Sequence, residues 1–514
     1  MSEIVNESLR KIAKGTTIVF IGTIIGLLLG FVGRVILIRY TTQSEYGIYS
    51  LAFTILSIFV VIATLGLGEG STRYIAYFRG KGEDGNVRGV VSSSIKIALA
   101  ASISLAAISF FVSDFISVNI FHTSELSMPL RTFSIAIPFS VLLSVFIAVF
   151  RGFGRVDAKV YFQDVMRPVL FLLFLIAVVL FNLSFIGVFY AHISSIVVTC
   201  VVFMIYIVKK SPLGAGRNDV SNPMAKKLLS FSIPLLAVSM LWMVMLWTDT
   251  LMLGYFKTPD VVGVYNAAMP LANLLSVIPA SMSFIYIPII TQLYSKHLID
   301  DVKRNYTILT KWTLLLTSPI FFVLFLFPDI VLNLLFGSRY IGASVALQLL
   351  ALGFFLNVSL GFTYNLLIVI GENKFPMFAY VISTIINIIL NIILIPPMGV
   401  VGASIASVVS IVISKILNSV RVYMRFKAHP FSKNYLKIAG LLVLFLFVFY
   451  ILRNIITISP WVFVALFSSF LVSYGISLIF TRSFDEEDIM ILLTIEKRLG
   501  LDLISIKRIL KRFV

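Results

Sequence analysis

The chain has 514 residues, of which 59% are hydrophobic and 12% charged, and its mean hydropathy is +1.03. A soluble domain is about 45–50% apolar and about 25% charged. This chain therefore cannot hide its apolar surface from water, and its solvent is a bilayer. The formal charge is +18, and the single cysteine, Cys200, excludes an intramolecular disulfide.

Taken in chain order, apolar runs of about 20 residues mark membrane spans. Fourteen are predicted, near 15–38, 46–67, 89–112, 129–150, 160–181, 185–208, 229–254, 262–290, 308–327, 344–370, 376–395, 399–420, 436–452 and 460–480. The first run is too long for a signal peptide. It carries a stripe of small residues, Gly22, Gly26, Gly30 and Gly33, which predicts close helix packing. The eighth carries Pro270, Pro279 and Pro288, each of which removes a helix hydrogen bond and permits a kink.

With the N-terminus inside, most of the 41 lysines and arginines fall in inner segments and few in outer loops. That asymmetry is the positive-inside pattern, so the basic balance is explained by topology and needs no nucleic-acid partner. An even number of spans puts both termini in the cytoplasm. The tail, 483–514, has capping-box spacing at Ser483 and Glu486, acids at its start and bases near its end. It reads as an amphipathic segment lying on anionic lipid.

Catalytic signals are missing. Walker A, GxSxG and HExxH patterns do not occur. His122, His192, His297 and His429 are scattered, so neither a metal nor a cofactor is expected. The GLGEGS stretch at 66–71 is followed by no lysine and reads as a helix end. A membrane glycosyltransferase would need clustered acids on its outer loops, and Asp114, Glu125, Asp260 and Asp329 do not cluster in sequence. No enzyme is expected.

Two pieces of the chain repeat each other. RVILIRYTTQSEYGIYSLA, 34–52, matches DTLMLGYFKTPDVVGVYNAA, 249–268, with Gly47-Ile-Tyr49 aligned on Gly263-Val-Tyr265. A weaker pair ends in IGVFYAHISS and MGVVGASIAS. The expected fold is an all-α polytopic membrane protein of about 14 helices. It would comprise two six-helix lobes in one orientation, 1–222 and 223–425, two further helices at 426–482 and the cytoplasmic tail at 483–514. Transporter sites tend to lie at the interface of such repeats.

The stretch GTTIVFIGTIIGLLLGFVGRVILIRYTTQSEYGIYSLAFTI resembles the start of Wzx-like oligosaccharide flippases of the polysaccharide-biosynthesis type. So do FRGFGRVDAK at 150–159 and NIILNIILIPPMGVVGASIASVVS at 387–410. That family belongs to the multidrug/oligosaccharidyl-lipid/polysaccharide superfamily, which also holds MATE-type drug exporters and lipid II flippases. The resemblance implies a flippase in the plasma membrane that moves a lipid-linked oligosaccharide or polysaccharide precursor by alternating access. Its partners would be a glycan on a polyprenyl phosphate or pyrophosphate, and membrane lipids. It leans towards a monomer. The alternative is a cation-coupled MATE-type exporter.

The residues fit an anionic substrate. Arginine presents a planar fork of donors to phosphate, and Arg34, Arg39, Arg73 and Arg151 are the candidate phosphate-binding residues. Asn266 and Asn365 are candidates for the glycan. Three groups are candidates for gating or coupling: Asp249, Asp164 and Arg167. Asp249 lies about 9 Å from the outer end of its span at 1.5 Å per residue, too deep for a short side chain to reach the headgroups. It either faces a wet cavity together with Arg34, its counterpart in the repeat, pairing with it directly when the outer side closes or tuning a site where Arg34 holds phosphate, or is satisfied within its own lobe by Ser, Thr or backbone. Asp164 and Arg167, at i and i+3, are spaced for an intrahelical pair. Lys96 and Lys415 read as snorkelling to the inner surface.

Overall fold

The structure is a computed structural model that describes residues 3–210, 224–483 and Asp485. Among these residues it is all helix. The helices are α1 (Glu3–Tyr40), α2 (Gln43–Thr64), α3 (Leu67–Gly80), α4 (Asp84–Asp114), α5 (Ser127–Ser134), α6 (Ala136–Gly152), α7 (Arg167–Leu180), α8 (Ile186–Lys210), α9 (Ala225–Phe256) and α10 (Pro259–Asn273). They continue with α11 (Val277–Ser295), α12 (Ile299–Leu326), α13 (Pro328–Phe336), α14 (Ser344–Ser359), α15 (Thr363–Val369), α16 (Lys374–Met398), α17 (Val400–Phe426), α18 (Lys433–Ile455) and α19 (Pro460–Phe480). Two π-helical segments, Phe115–Ile120 and Lys159–Met166, run into neighbouring α-helices.

All fourteen predicted spans fall on helices. Among the described residues twelve helical stretches are long and apolar enough to cross a membrane, and thirteen if the 45° bend between α5 and α6 lies within one span. The protein is therefore a polytopic membrane protein. Several spans are interrupted where the sequence reading drew one rod. α2 ends at Leu65 and Gly66, both left-handed, and α3 continues from there. GLGEGS is thus a helix junction. The proline-rich eighth span breaks at Leu274–Ser276, between Pro270 and Pro279, each of which lacks the amide that would continue the helix. The span 344–370 breaks at Gly361, φ +78°, where the Lys415 ammonium donates to the freed carbonyl of Gly361. Lys415 does not snorkel: an unmet carbonyl in a span is costly, and this cation satisfies it.

The chain forms two compact units, Met1–Asn266 and Ala267–Val514. In the first, α2 is central, packing on α4, α5, α6 and α9, with half of its residues buried. A capping box starts it: Thr42 accepts from the Glu45 amide, and Glu45 accepts from the Thr42 amide at 2.8 Å. The small stripe of α1 is a packing surface. A Cβ at Gly22 would overlap Val160, and one at Gly26 would overlap the Asp164 carbonyl, so α1 lies backbone-close on the π segment Lys159–Met166. Gly30 faces open space. The two Gly-x-Tyr motifs also meet here. A Cβ at Gly47 would overlap the Pro259 carbonyl oxygen, and one at Gly263 would overlap that of Gln43.

In the second unit α12 packs on α11, α14 and α18, and α16 and α17 form a hairpin. Aromatic rings join α12 to the last two helices: Phe322 stacks on Phe470 of α19 with centroids 3.7 Å apart and meets Phe449 of α18 edge-on. The predicted tail lies outside the described residues except for Ser483, which is buried, and Asp485. The Asp485 carboxylate pairs with Lys311, 3% exposed on α12, at 2.6 Å and accepts from the Asn434 amide at 2.5 Å.

The glycine contact makes a prediction. Gly47→Ala should lower the detergent-solubilised melting temperature by several degrees, since overpacking costs about 1–3 kcal/mol and the obstacle here is backbone. Gly68→Ala, with nothing within 4 Å of its Cβ, should leave melting unchanged or raise it slightly.

Candidate functional site

Asp249 sits within α9 and is 5% exposed. Its Oδ2 accepts a 2.6 Å hydrogen bond from the Tyr265 hydroxyl on α10. Of the two sequence readings, the carboxylate is thus met from the neighbouring helix, although by a tyrosine rather than by Ser, Thr or backbone. Tyr265 is the tyrosine of the second Gly-x-Tyr motif. Next to it, Asn266 donates to the Val262 carbonyl at 3.0 Å, accepts from Thr250 at 3.2 Å, and its backbone carbonyl accepts from the Tyr46 hydroxyl at 3.3 Å.

The tyrosine of the first motif, Tyr49, leads to a second buried group. Its hydroxyl lies 3.0 Å from His192 Nδ1, and a terminal nitrogen of Arg167 lies 3.2 Å from His192 Nε2. A guanidinium only donates, so Nε2 must accept. The imidazole proton is therefore on Nδ1, which donates to the Tyr49 oxygen. Phe53, Phe133 and Phe171 surround the imidazole with centroids 5.2–5.4 Å away. These rings hold the histidine in one orientation and keep other partners away.

Arg34 is exposed on α1, one turn from Gly30. Among the described residues Arg34 forms no ion pair and no hydrogen bond. Arg34 is thus an open cation on an apolar helix. Such a place can take an anion, since a guanidinium in weakly polar surroundings gains most from a negative partner.

The other predicted residues lie elsewhere. Arg39 is exposed in the last turn of α1. Arg73 stacks on Phe231 with its charge 4.2 Å from the ring centroid. Arg151 pairs with Glu69 at 2.7 Å and bonds Thr72 at 3.1 Å. Arg73 and Arg151 thus form a group around α3, and the exposed Arg151 pair adds little stability. Asn365 donates to the Ser283 hydroxyl at 2.7 Å, which links α15 to α11 in the second unit. The intrahelical pair expected of Asp164 and Arg167 does not form. Asp164 pairs with Lys159 at 3.0 Å, and Arg167 turns to His192. The cause is the π segment: with i to i+5 bonding, residues five apart share a face. Sequence reasoning missed Tyr46, Tyr49, His192, Tyr265 and Lys159. The aligned Gly-x-Tyr motifs marked two of them, but a lone histidine in an apolar helix carries no such signal. Among the described residues no group of three His, Cys, Asp or Glu side chains could hold a metal.

Comparison with known proteins places this geometry in context. The sequence pattern of a family described as "Polysaccharide biosynthesis protein" matches residues 12–294, and that of the family MatE matches 234–393. An uncharacterized membrane protein of Methanocaldococcus jannaschii, MJ1068, is 28% identical over 46% of this chain and 48% of its own. The probable low-salt glycan biosynthesis flippase Agl15 of Haloferax volcanii is 28% identical over 34% of this chain and 37% of its own. The chain spans half or less of the length of the curated relatives it matches. Among solved structures, the lipid II flippase MurJ in an inward closed conformation aligns with TM-score 0.70 at 18% identity, over 90% of this chain and 98% of that one. An inward-facing multidrug resistance MATE transporter aligns with TM-score 0.65 at 16% identity, over 78% and 94%. These likenesses establish the fold.

Two outcomes check the hydrogen bonds. Tyr265→Phe removes a donor to a carboxylate, a bond worth about 1.5–3 kcal/mol, and should lower the melting temperature. Combining it with Asp249→Asn should cost less than the two losses summed, whereas Asp249→Asn with Arg34→Gln should be additive. At His192, Gln retains an acceptor for Arg167 and Leu does not, so His192→Leu should melt several degrees below His192→Gln. Equal melting of the two variants would remove Arg167 as the partner.

Proposed function

Because this chain belongs to the polysaccharide biosynthesis protein family, we propose that it carries a lipid-linked oligosaccharide or polysaccharide precursor across the cell membrane by alternating access. It acts as a transporter, with no chemical step. The two six-helix halves predicted at 1–222 and 223–425 are its moving parts, and both termini are cytoplasmic, as the lysine and arginine asymmetry supports. The substrate is a glycan on a polyprenyl phosphate or pyrophosphate, and the protein works as a monomer.

One observation carries the reading: Arg34 is an open cation within a span. A charge at such depth costs on the order of 2.5–3.5 kcal/mol on insertion scales, and a phosphate offsets that cost only when substrate arrives. The Asp249 carboxylate is bound by the Tyr265 hydroxyl. Asn266 and the hydroxyls of Tyr46, Tyr49 and Tyr265 are engaged within the protein, and Arg39 adds a second exposed cation in the last turn of α1. The name of the Haloferax volcanii relative, a glycan biosynthesis flippase, agrees with this substrate class.

A second reading has its own support. The MatE match at 234–393 covers Asp249, and a buried acid is what a cation-coupled exporter would use.

Reconstitution in liposomes separates the two. Flipping of a fluorescent lipid-linked oligosaccharide should be fast in the parent and at least about tenfold slower in Arg34→Ala, a loss of about 1.4 kcal/mol. Asp249→Asn should retain most of the rate. Cation-driven uptake of an organic dye, lost in Asp249→Asn and untouched in Arg34→Ala, would replace the flippase reading with the exporter.

A further inference from the structure

A second basic group lies in the other unit, remote in sequence from the residues above. The turn at 371–373 joins α15 to α16, and the end of α17 runs beside it. Between them is a cavity of about 620 Å³ whose lining includes Glu372, Lys374, Phe375, Phe378, Arg421 and Arg425. Arg421 Nε donates to Glu372 Oε2 at 2.5 Å, and Arg425 Nε pairs with Oε1 of the same carboxylate. Both guanidiniums therefore use Nε on one acid. Their terminal nitrogens, eight N–H donors by the chemistry of two guanidiniums, have no hydrogen-bond partner among the described residues.

Glu372 braces the two arginines side by side. Partial burial works against its charge, but the two guanidiniums outweigh that and hold its carboxyl below the ordinary value. The Phe375 ring, 5.1 Å from the Arg421 charge, fixes the other side. Lys374 is exposed and has no ion pair among the described residues. Three cations thus face one carboxylate, and the cavity is cationic. Its inner wall differs. One turn further along α16, Phe378 is 57% exposed and lines the same cavity. α16 and α17 are both long and apolar enough to span a membrane. The cavity therefore opens at the membrane edge, with cations at headgroup level and an aromatic ring on the hydrocarbon side.

We propose that this cavity binds the phosphate headgroup of an anionic membrane lipid, with Arg421, Arg425 and Lys374 on the phosphate oxygens and Phe378 along the acyl chain. Paired guanidiniums suit a phosphate's spaced oxygens, and basic pockets between spans take lipid headgroups. A free phosphate offers the same oxygens but has no use for the apolar wall. The site is separate from the transport group and stands whether or not the flippase reading holds.

Native mass spectrometry on the full-length protein in detergent tests it. Three probes are compared: short-chain phosphatidic acid, phosphatidylcholine with the same chains, and inorganic phosphate. Phosphatidic acid should bind at least about tenfold more tightly than the other two, a difference of about 1.4 kcal/mol. The Arg421→Gln/Arg425→Gln double variant should lose that preference. Lys374→Gln leaves the brace around Glu372 intact, so it should weaken binding several-fold without altering melting. Phe378→Ala should weaken the lipid and not inorganic phosphate. Undiminished phosphatidic acid binding in both cation variants would overturn the site. Inorganic phosphate binding as tightly as the lipid would overturn the lipid assignment.

Discussion

A carboxylate on α9 and a hydroxyl on α10, 2.6 Å apart, tie together the two helices that carry the second Gly-x-Tyr motif. In an apolar solvent a carboxylate has few ways to keep its charge, and a donor on a neighbouring helix is one of them. Meeting that requirement fixes more than Asp249. It sets Tyr265, hence Gly263, at the level where the glycine lies against the backbone of residue 43 and Gly47 lies against that of residue 259. Two helices can approach backbone to backbone only where no side chain intervenes. The polar bond ties α10 to α9 and the glycine contact seats α10 against α2, so one short motif fixes the helix on two neighbours.

The first motif solves a different problem with the same residue type. Tyr49 meets no acid but a histidine, and that histidine is already engaged by Arg167. Alike in sequence, the two tyrosines differ in partner, one bonded to a carboxylate and the other to an imidazole. Arg34 stands exposed on α1. A substrate bearing phosphate would meet it without having to displace a resident carboxylate.

Most of the fold could be read from the chain because hydropathy and helix length answer directly to the bilayer. The fourteen runs, the small stripe on α1 and the role of GLGEGS as a helix end all follow from local composition. What could not be read was the winding inside the helices. Lys159–Met166 looks like any helical run, yet its wider turn sends Asp164 to Lys159 and frees Arg167 for His192. The break at Gly361 was likewise hidden, because a single glycine in an apolar run signals only weakly. The candidate site was half legible. Charges within spans, Arg34, Asp249 and Arg167, stand out against apolar neighbours. Their partners Tyr265, Tyr49 and His192 do not, since tyrosine is common in membrane helices and hydrogen bonds carry no sequence mark.

The link from Asp485 to Lys311 and Asn434 bears on where the protein can be cut. The chain leaves α19 and within five residues is anchored by a carboxylate to a nearly dry ammonium on α12 and to an amide on α18. The exit point of the last membrane helix is thereby registered against two earlier helices. Any shortened version that ends before Asp485 would strip a counter-charge from the interior of a different helix, so a harmless-looking truncation is felt inside the bundle. Fusions placed beyond that residue leave the ion pair untouched.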